Sequence, residues 1–322
     1  MISSLTDIAQ IISKINSALI FCHVRPDGDT LGSAEALYLA LKKKGLRCDI
    51  VCDGEIPDKF SFASCYNHIL KPDEIKGNYD AHISVDVPTE ALLGMSWGIY
   101  KAGKIRIAID HHLSNELYAE YTHISDESAN TVIIYELIKS LGVEIDKEIA
   151  KAILIGIITD TGCFTHLNAD AKSLEVASKA IEAGADLHSI VYNSYLKQTK
   201  TRAYFFADVI SKMRFYLNDR LAVIVIGKDI LSSRGLKSDA TEGMVDFPLS
   251  VGGVEVSVSL LETKNELYRV SFRSNGRVDV GKIAEEFGGG GHIFASGCVV
   301  KGPLEEVIEK IVRATDINMY IS

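Results

Sequence analysis

Apolar positions in the first half of the chain alternate between short unbroken runs and longer runs at helical spacing. Residues 18–22, 49–52, 81–85 and 104–109 are strand-length apolar stretches. Residues 8–15, 30–44, 131–141, 148–158 and 171–183 read as helices. In the second of these, Leu31, Ala34, Leu37 and Leu41 recur near the helical period and Gly45 stands just past the end, while Gly184 stops the last. Strands that are apolar throughout and alternate with helices predict an α/β fold: a larger N-terminal domain whose mostly parallel sheet is flanked by helices on both faces.

The pattern changes in the second half. Residues 194–213 are polar and helix-prone. Residues 221–226, 254–261 and 267–273 then read as strands, the last two hinged at Lys264-Asn265, and 279–287 and 304–313 as helices. The expected organisation is a catalytic domain over 1–190, a helical connector over 191–212 and a smaller C-terminal α+β domain over 213–322, a usual domain size.

Composition narrows the function classes. With 322 residues, 47% hydrophobic and 24% charged, the chain suits two soluble domains. A formal charge of −9 argues against a broad basic face gripping long nucleic acid, but leaves room for a small nucleotide in a local pocket. The six cysteines form no C-x-x-C pair, so buried free thiols in a reducing compartment are expected. No stretch approaches the roughly 20 apolar residues of a membrane helix and no targeting signal is evident, so a cytoplasmic location without membrane contact is expected.

Candidate chemistry gathers where the apolar strands end. The first strand runs into His23-Val24-Arg25-Pro26-Asp27-Gly28-Asp29, the third into Asp86, the fourth into Asp110-His111-His112, and the apolar run 153–158 into Thr159-Asp160. In an open α/β sheet such loops face one crevice. Read alone, Asp27 and Asp29 also suit a helix N-cap; His23 just after the strand favours a site. Five aspartates and three histidines, without a thiolate, suit manganese, magnesium or iron better than structural zinc. Two ions roughly 3.5–4 Å apart can share a carboxylate, for which Asp86 is the candidate, and hold a hydroxide that attacks phosphorus in line. In the second half, Gly288-Gly289-Gly290-Gly291-His292 is either a flexible turn or a backbone cradle for phosphate, and Arg273 at a strand end offers a planar fork.

The order His23-x-x-x-Asp27-x-Asp29, Asp86, Asp110-His111-His112, Asp160 resembles the four motifs of the DHH phosphoesterases. Gly289-Gly290-Gly291-His292 with Ala295-Ser296-Gly297 resembles the glycine–histidine element of DHHA1 domains, Ser296 standing where alanine is more usual. The resemblance implies that His23 and Asp27 ligate one metal and that Asp29, His111 and Asp160 ligate a second. It implies that Asp86 bridges the two, manganese being the usual ion. His112 would contact the scissile phosphate and Asp110 would orient the histidines. Arg273, Ser274, Gly289, Gly290, Gly291 and His292 would hold substrate, in a cleft between the domains.

The length and two-domain plan resemble the stand-alone bacterial nanoRNases. These degrade RNAs of a few nucleotides, including pApA, and relatives act on 3′-phosphoadenosine 5′-phosphate (pAp) or cyclic di-AMP. A homodimer is expected by the same likeness. Two other readings stay open: a pyrophosphatase or exopolyphosphatase on the same metals, and a catalytically dead nucleotide sensor.

Overall fold

The computed structural model describes residues 2–320. The chain divides into two compact units, one up to Lys197 and one from Gln198 on.

The first unit is built on six strands: β1 (Ser17–Phe21), β2 (Arg47–Val51), β3 (Ile69–Leu70), β4 (Ala81–Val85), β5 (Ile105–Asp110) and β6 (Tyr121–Ile124). They lie in the order β3-β2-β1-β4-β5-β6, every pair parallel. The order reverses direction between β1 and β4, so the carboxyl ends of these two strands flank the topological switch point, where ligands bind in doubly wound sheets. Every residue of β1 and β4 is buried. Alternate β1 residues feed different cores: Ala18 and Ile20 join the large cluster on one face, Leu19 and Phe21 the smaller aromatic one on the other. A strand covered on both faces cannot show a polar alternation, which is why these runs read as unbroken apolar sequence.

The helices of this unit are α1 (Leu5–Ile12), α2 (Gly28–Lys43), α3 (Ser96–Lys101), α4 (Asn130–Ser140), α5 (Lys147–Asp160), α6 (Ala171–Glu182) and α7 (Leu187–Val191). The first helix starts earlier than the apolar spacing predicts because Ser4 and Asp7 form a reciprocal capping box. α2, α4 and α5 pack together on the large core, with Leu37, Leu41, Ile134, Leu137, Ile153 and Ile157 fully buried. A π-type turn, Tyr192–Leu196, follows α7.

The second unit opens with α8 (Lys200–Ile210), whose Phe205 and Val209 pack on Ile224 and Ile226. Its strands are β7 (Arg214–Tyr216), β8 (Leu221–Ile226), β9 (Val256–Lys264), β10 (Leu267–Ser274), β11 (Gly290–Gly291) and β12 (Ala295–Lys301), in the order β11-β12-β10-β9-β8-β7. Only β8 and β9 pair in parallel. The helices α9 (Lys228–Ser232), α10 (Val280–Glu286) and α11 (Leu304–Tyr320) complete it. Val280, Ile283, Val307 and Ile311 bury against Val258, Leu260 and Phe272 of this sheet. The fold is thus α/β, with a parallel-sheet domain followed by a smaller mixed-sheet domain, as the sequence pattern predicts. Among the described residues, no helix is long and apolar enough to cross a membrane.

Candidate metal centre

Each motif of the first unit is delivered by the end of a strand or helix. His23 follows β1, and Asp27 and Asp29 begin α2. Asp86 follows β4, Asp110 ends β5 with His111 and His112 behind it, and Asp160 ends α5. The structure brings together three overlapping potential ligand groups, His23 with Asp27 and Asp86, Asp29 with His111 and Asp160, and Asp86 with His111 and His112, the ligating atoms of each lying within 4.8 Å of one another. Asp86 lies between the first two: Oδ2 is 3.8 Å from His23 Nε2 and Oδ1 is 3.5 Å from His111 Nε2.

The aspartates near α2 have double duties. Asp27 Oδ1 accepts from the N–H groups of Asp29 and Thr30, the N-cap that the sequence also allowed, while Oδ2 lies 3.8 Å from His23 Nε2. Asp29 is 1% exposed and caps a different helix, accepting from the N–H groups of Asn130 at 2.5 Å and Thr131 at 2.9 Å at the start of α4. Asp86 has a left-handed backbone, φ 58°, which is costly for a residue with a Cβ and is held by its N–H donating to Ile109 O. Thr30 Oγ1 donates to Asp86 Oδ2 at 2.6 Å. Asp86 Oδ1 is buried, and among the described residues its polar neighbours are His111 Nε2 at 3.5 Å and His112 Nδ1 at 3.6 Å.

The histidines differ in what they can do. His111 Nδ1 faces the carbonyl of Glu127 at 3.0 Å and must donate to it, which leaves Nε2 as the ligating nitrogen. His112 Nδ1 lies 2.8 Å from Asp110 Oδ1, so that nitrogen is occupied and Nε2 is the free one. His23 Nδ1 accepts from Arg25 N–H at 3.2 Å, and that nitrogen must become the protonated one if Nε2 takes a cation.

The electrostatics of the site call for positive charge. Burial, with the charges of Asp29 and Asp27 nearby, pushes the Asp86 carboxyl up to about 8. Burial and Asp29 push Asp160 up to about 7. Burial also raises Asp29. Burial alone would lower His111, but the closeness of Asp86 and the charges of Asp29 and Asp160 outweigh it and push it up to about 11. Asp110 moves the other way: burial would raise it, yet hydrogen bonds from His112 and Asn115 hold it below the usual range. The hydrogen bond to Asp110 in turn raises His112. Crowded buried acids and two imidazole nitrogens facing one space form a donor set that divalent cations fit.

A cavity of about 220 Å³ opens over this set, with Arg25, Pro88 and Leu92 on its wall beside His23, Asp86 and His112. Its lining of carboxylates and imidazoles with Arg25 suits a phosphoryl group with its ions. Several supporting residues were not signalled by any motif: Arg25 on the wall, Thr30 on Asp86, and Asn168, whose Nδ2 donates to Asp160 Oδ2 at 3.2 Å and Ser128 O at 2.9 Å. His166 lies beside the same loop, its Nδ1 3.1 Å from Asp160 O.

In the second unit the remaining candidates share one end of the sheet. Arg273 pairs with Ala295 across β10 and β12, and Gly290 and Gly291 pair with Gly297 and Ser296. Arg273 Nε binds Asp246 Oδ1 at 2.9 Å and Nη1 donates to Phe272 O. Ser274 is 6% exposed, and its Oγ accepts from Gly276 N–H. The glycines are not equivalent. A Cβ at Gly289 or Gly291 would collide with β12, whereas Gly290 faces open space. His292 and Ala295 close a two-residue turn with Ile293 and Phe294 at its tip. Ser296 Oγ donates to Val280 O at 2.5 Å, so the hydroxyl at a position where alanine is more usual has its own partner.

Comparison with known proteins agrees with this architecture. The DHH family N-terminal domain matches residues 17–157 and the DHHA1 domain residues 218–318. The chain is 31% identical to a protein of Thermus thermophilus named bifunctional oligoribonuclease and PAP phosphatase NrnA, over 95% of this chain and 92% of that one. A Bacillus subtilis protein of the same name is 27% identical over 92% of this chain and 93% of its own. The crystal structure of an exopolyphosphatase-related protein from Bacteroides fragilis superposes with a TM-score of 0.91 at 27% identity, covering 98% of this chain and 96% of that one. Motifs, fold and end-to-end similarity together place the chain in the DHH family, with a DHH domain followed by a DHHA1 domain and the domain plan of the NrnA proteins.

Proposed function

We infer that this chain is a phosphoesterase dependent on two divalent ions, manganese by preference, that hydrolyses very short oligoribonucleotides such as pApA to mononucleotides and takes pAp at the same site. The observation that carries the reading is Asp86, a buried carboxylate with one oxygen facing His23 and the other facing His111, so that it belongs with ligand atoms on both sides. His23 and Asp27 would hold one ion, and Asp29, His111 and Asp160 the other, with Asp86 shared. Ions bound there activate water and neutralise the charge that develops on phosphorus. The names of the full-length relatives support the substrate class.

The chain's own groups supply the rest. Asp110 holds His112 by Nδ1, which leaves Nε2 for a phosphoryl oxygen, and the hydrogen bond to Asp110 raises His112. Arg25 adds a second cation at the wall. The lining of the cavity supplies contacts for a phosphoryl group, and the base and sugar take further partners. Arg273, Ser274 and the Gly289–Gly291 loop with His292 are proposed for them.

The test is hydrolysis by the manganese-loaded chain of pApA, pAp, cyclic di-AMP, pyrophosphate and RNAs from dinucleotides to decamers. Preference for pApA and the shortest RNAs is expected, with pAp also cleaved. Cleavage of pyrophosphate alone would overturn the substrate class, and tight nucleotide binding without turnover would overturn the enzyme reading.

A further inference from the structure

The loop behind the paired histidines carries a buried amide that touches both central strand ends of the site. Asn115 is 8% exposed. Its Nδ2 donates to Asp110 Oδ2 at 2.6 Å and to Val87 O at 3.2 Å. Its Oδ1 accepts from Leu117 N–H at 2.8 Å, and its own N–H donates to His112 O at 3.1 Å. The oxygen faces a donor and the nitrogen faces two acceptors, so the amide has one satisfied orientation. Asp110 is fully buried, and its other oxygen, Oδ1, accepts from His112 Nδ1.

We propose that Asn115 is a positioning residue for His112, acting through Asp110. A carboxylate turns easily about its terminal bond. With Oδ2 held by Asn115, Oδ1 stays aimed at His112 Nδ1, and the imidazole keeps Nε2 toward the substrate. The bond to Val87 O ties the same amide to the residue after Asp86, so the β4 and β5 ends move together. Tyr118 reinforces this link, its hydroxyl donating to Val87 O at 2.8 Å. Truncating Asn115 leaves a buried carboxylate oxygen short of a donor, with only the His112 N–H and Nδ1 left to hold Asp110 through Oδ1. The use made of Nε2 rests on the phosphoesterase reading, whereas the alignment of His112 is a property of the folded chain alone.

The experiment has two readouts on the full chain. In the metal-free protein carrying ¹⁵N-labelled histidine, wild type should show a downfield His112 Nδ1–H resonance, assigned by its loss in His112→Gln. Asn115→Ala should lose it or move it upfield. In the manganese-loaded protein, Asn115→Ala should lower kcat on pApA by about 10–100-fold, the usual cost of removing such a partner, with KM and ion stoichiometry unchanged. Asn115→Asp keeps the shape and the bond to Leu117 N–H but sets an acid against Asp110, and should show the same pattern if the alanine variant does not fold. An unmoved resonance in a folded variant, or a loss of kcat matched by an equal loss of ion binding, would overturn the proposal. A wild type inactive on every substrate, with the resonance responding as stated, would remove the function reading and leave the positioning role.

Discussion

At the scale of single residues, the site is a set of acids that the fold forces together against their own repulsion. Asp29 and Asp86 are nearly sealed from water, and in the metal-free chain Asp86 and Asp160 hold protons near neutrality because ionising them there is costly. A cation that takes these oxygens must displace those protons. Ion affinity should therefore rise with pH, the carboxyls ionising by about 8 and the His111 imidazole giving up its proton only at higher pH. Calorimetric titration of manganese in two buffers of different ionisation enthalpy reads the proton count directly: at neutral pH, release of at least one proton is expected, and none would mean that the acids and His111 have given up their protons before the ion arrives. The same shifts fix the sign for folding without metal. The folded chain keeps protons that the unfolded chain gives up above its ordinary carboxyl range, so the contribution is complete in acid and is lost as pH climbs toward about 8. The residues of this cluster were legible in the sequence because each sits at the end of an apolar strand or helix. Thr30, Asn115 and Asn168 were not, since an amide or hydroxyl carries no spacing signal and its role exists only once strands distant in sequence are side by side.

At the scale of elements, the positions of Asp29 and Asp160 depend on how closely α2 and α5 pack. Gly156, within α5, faces α2 and the start of α4. A Cβ there would overlap the Thr131 side chain and stand 2.5 Å from Asp29 Oδ1. Gly156→Ala should destabilise the fold by about 1–3 kcal/mol, as overpacking does, and weaken ion binding because Asp29 must give way. Gly98→Ala in α3 is the control: nothing lies near its Cβ, and the gain in helix propensity of roughly 0.5–1 kcal/mol should stabilise the chain. Urea unfolding with and without manganese separates the two effects, and an unchanged ion dependence in Gly156→Ala would show that Asp29 is placed by other contacts. The elements themselves were read well where periodicity was strong. Strand β6 is only Tyr121–Ile124 with three of its four residues partly exposed, and β12 begins Ala-Ser-Gly, a sequence that reads as loop. Both are strands because of their neighbours: β6 pairs with β5, and β12 fills the ladder between β10 and β11.

At the scale of the whole molecule, each unit has its own hydrophobic clusters, two about the parallel sheet and two about the mixed sheet. Chemistry and recognition are divided along the same line in the proposed mechanism: the first unit has a small cavity for phosphoryl and ions, and the second a cluster of Arg273, Ser274 and the glycine–histidine turn. Arg273 is anchored on one side by Asp246, which spends Nε and leaves part of the guanidinium fork for an anion. If it grips a part of the substrate remote from the bond that breaks, its loss should appear as weaker binding of nucleotides rather than as slower chemistry on every ester. Arg273→Ala should therefore raise KM for pApA at least tenfold, the worth of about 1.4 kcal/mol of binding. It should leave hydrolysis of bis(p-nitrophenyl) phosphate, which has no nucleoside to hold, close to wild type. Asp246→Ala frees the guanidinium and lets it swing, so it should raise KM for pApA by a smaller factor with the same indifference on the artificial ester. Equal losses on both substrates would place Arg273 with the reacting phosphate, and the division of labour between the two units would have to be given up.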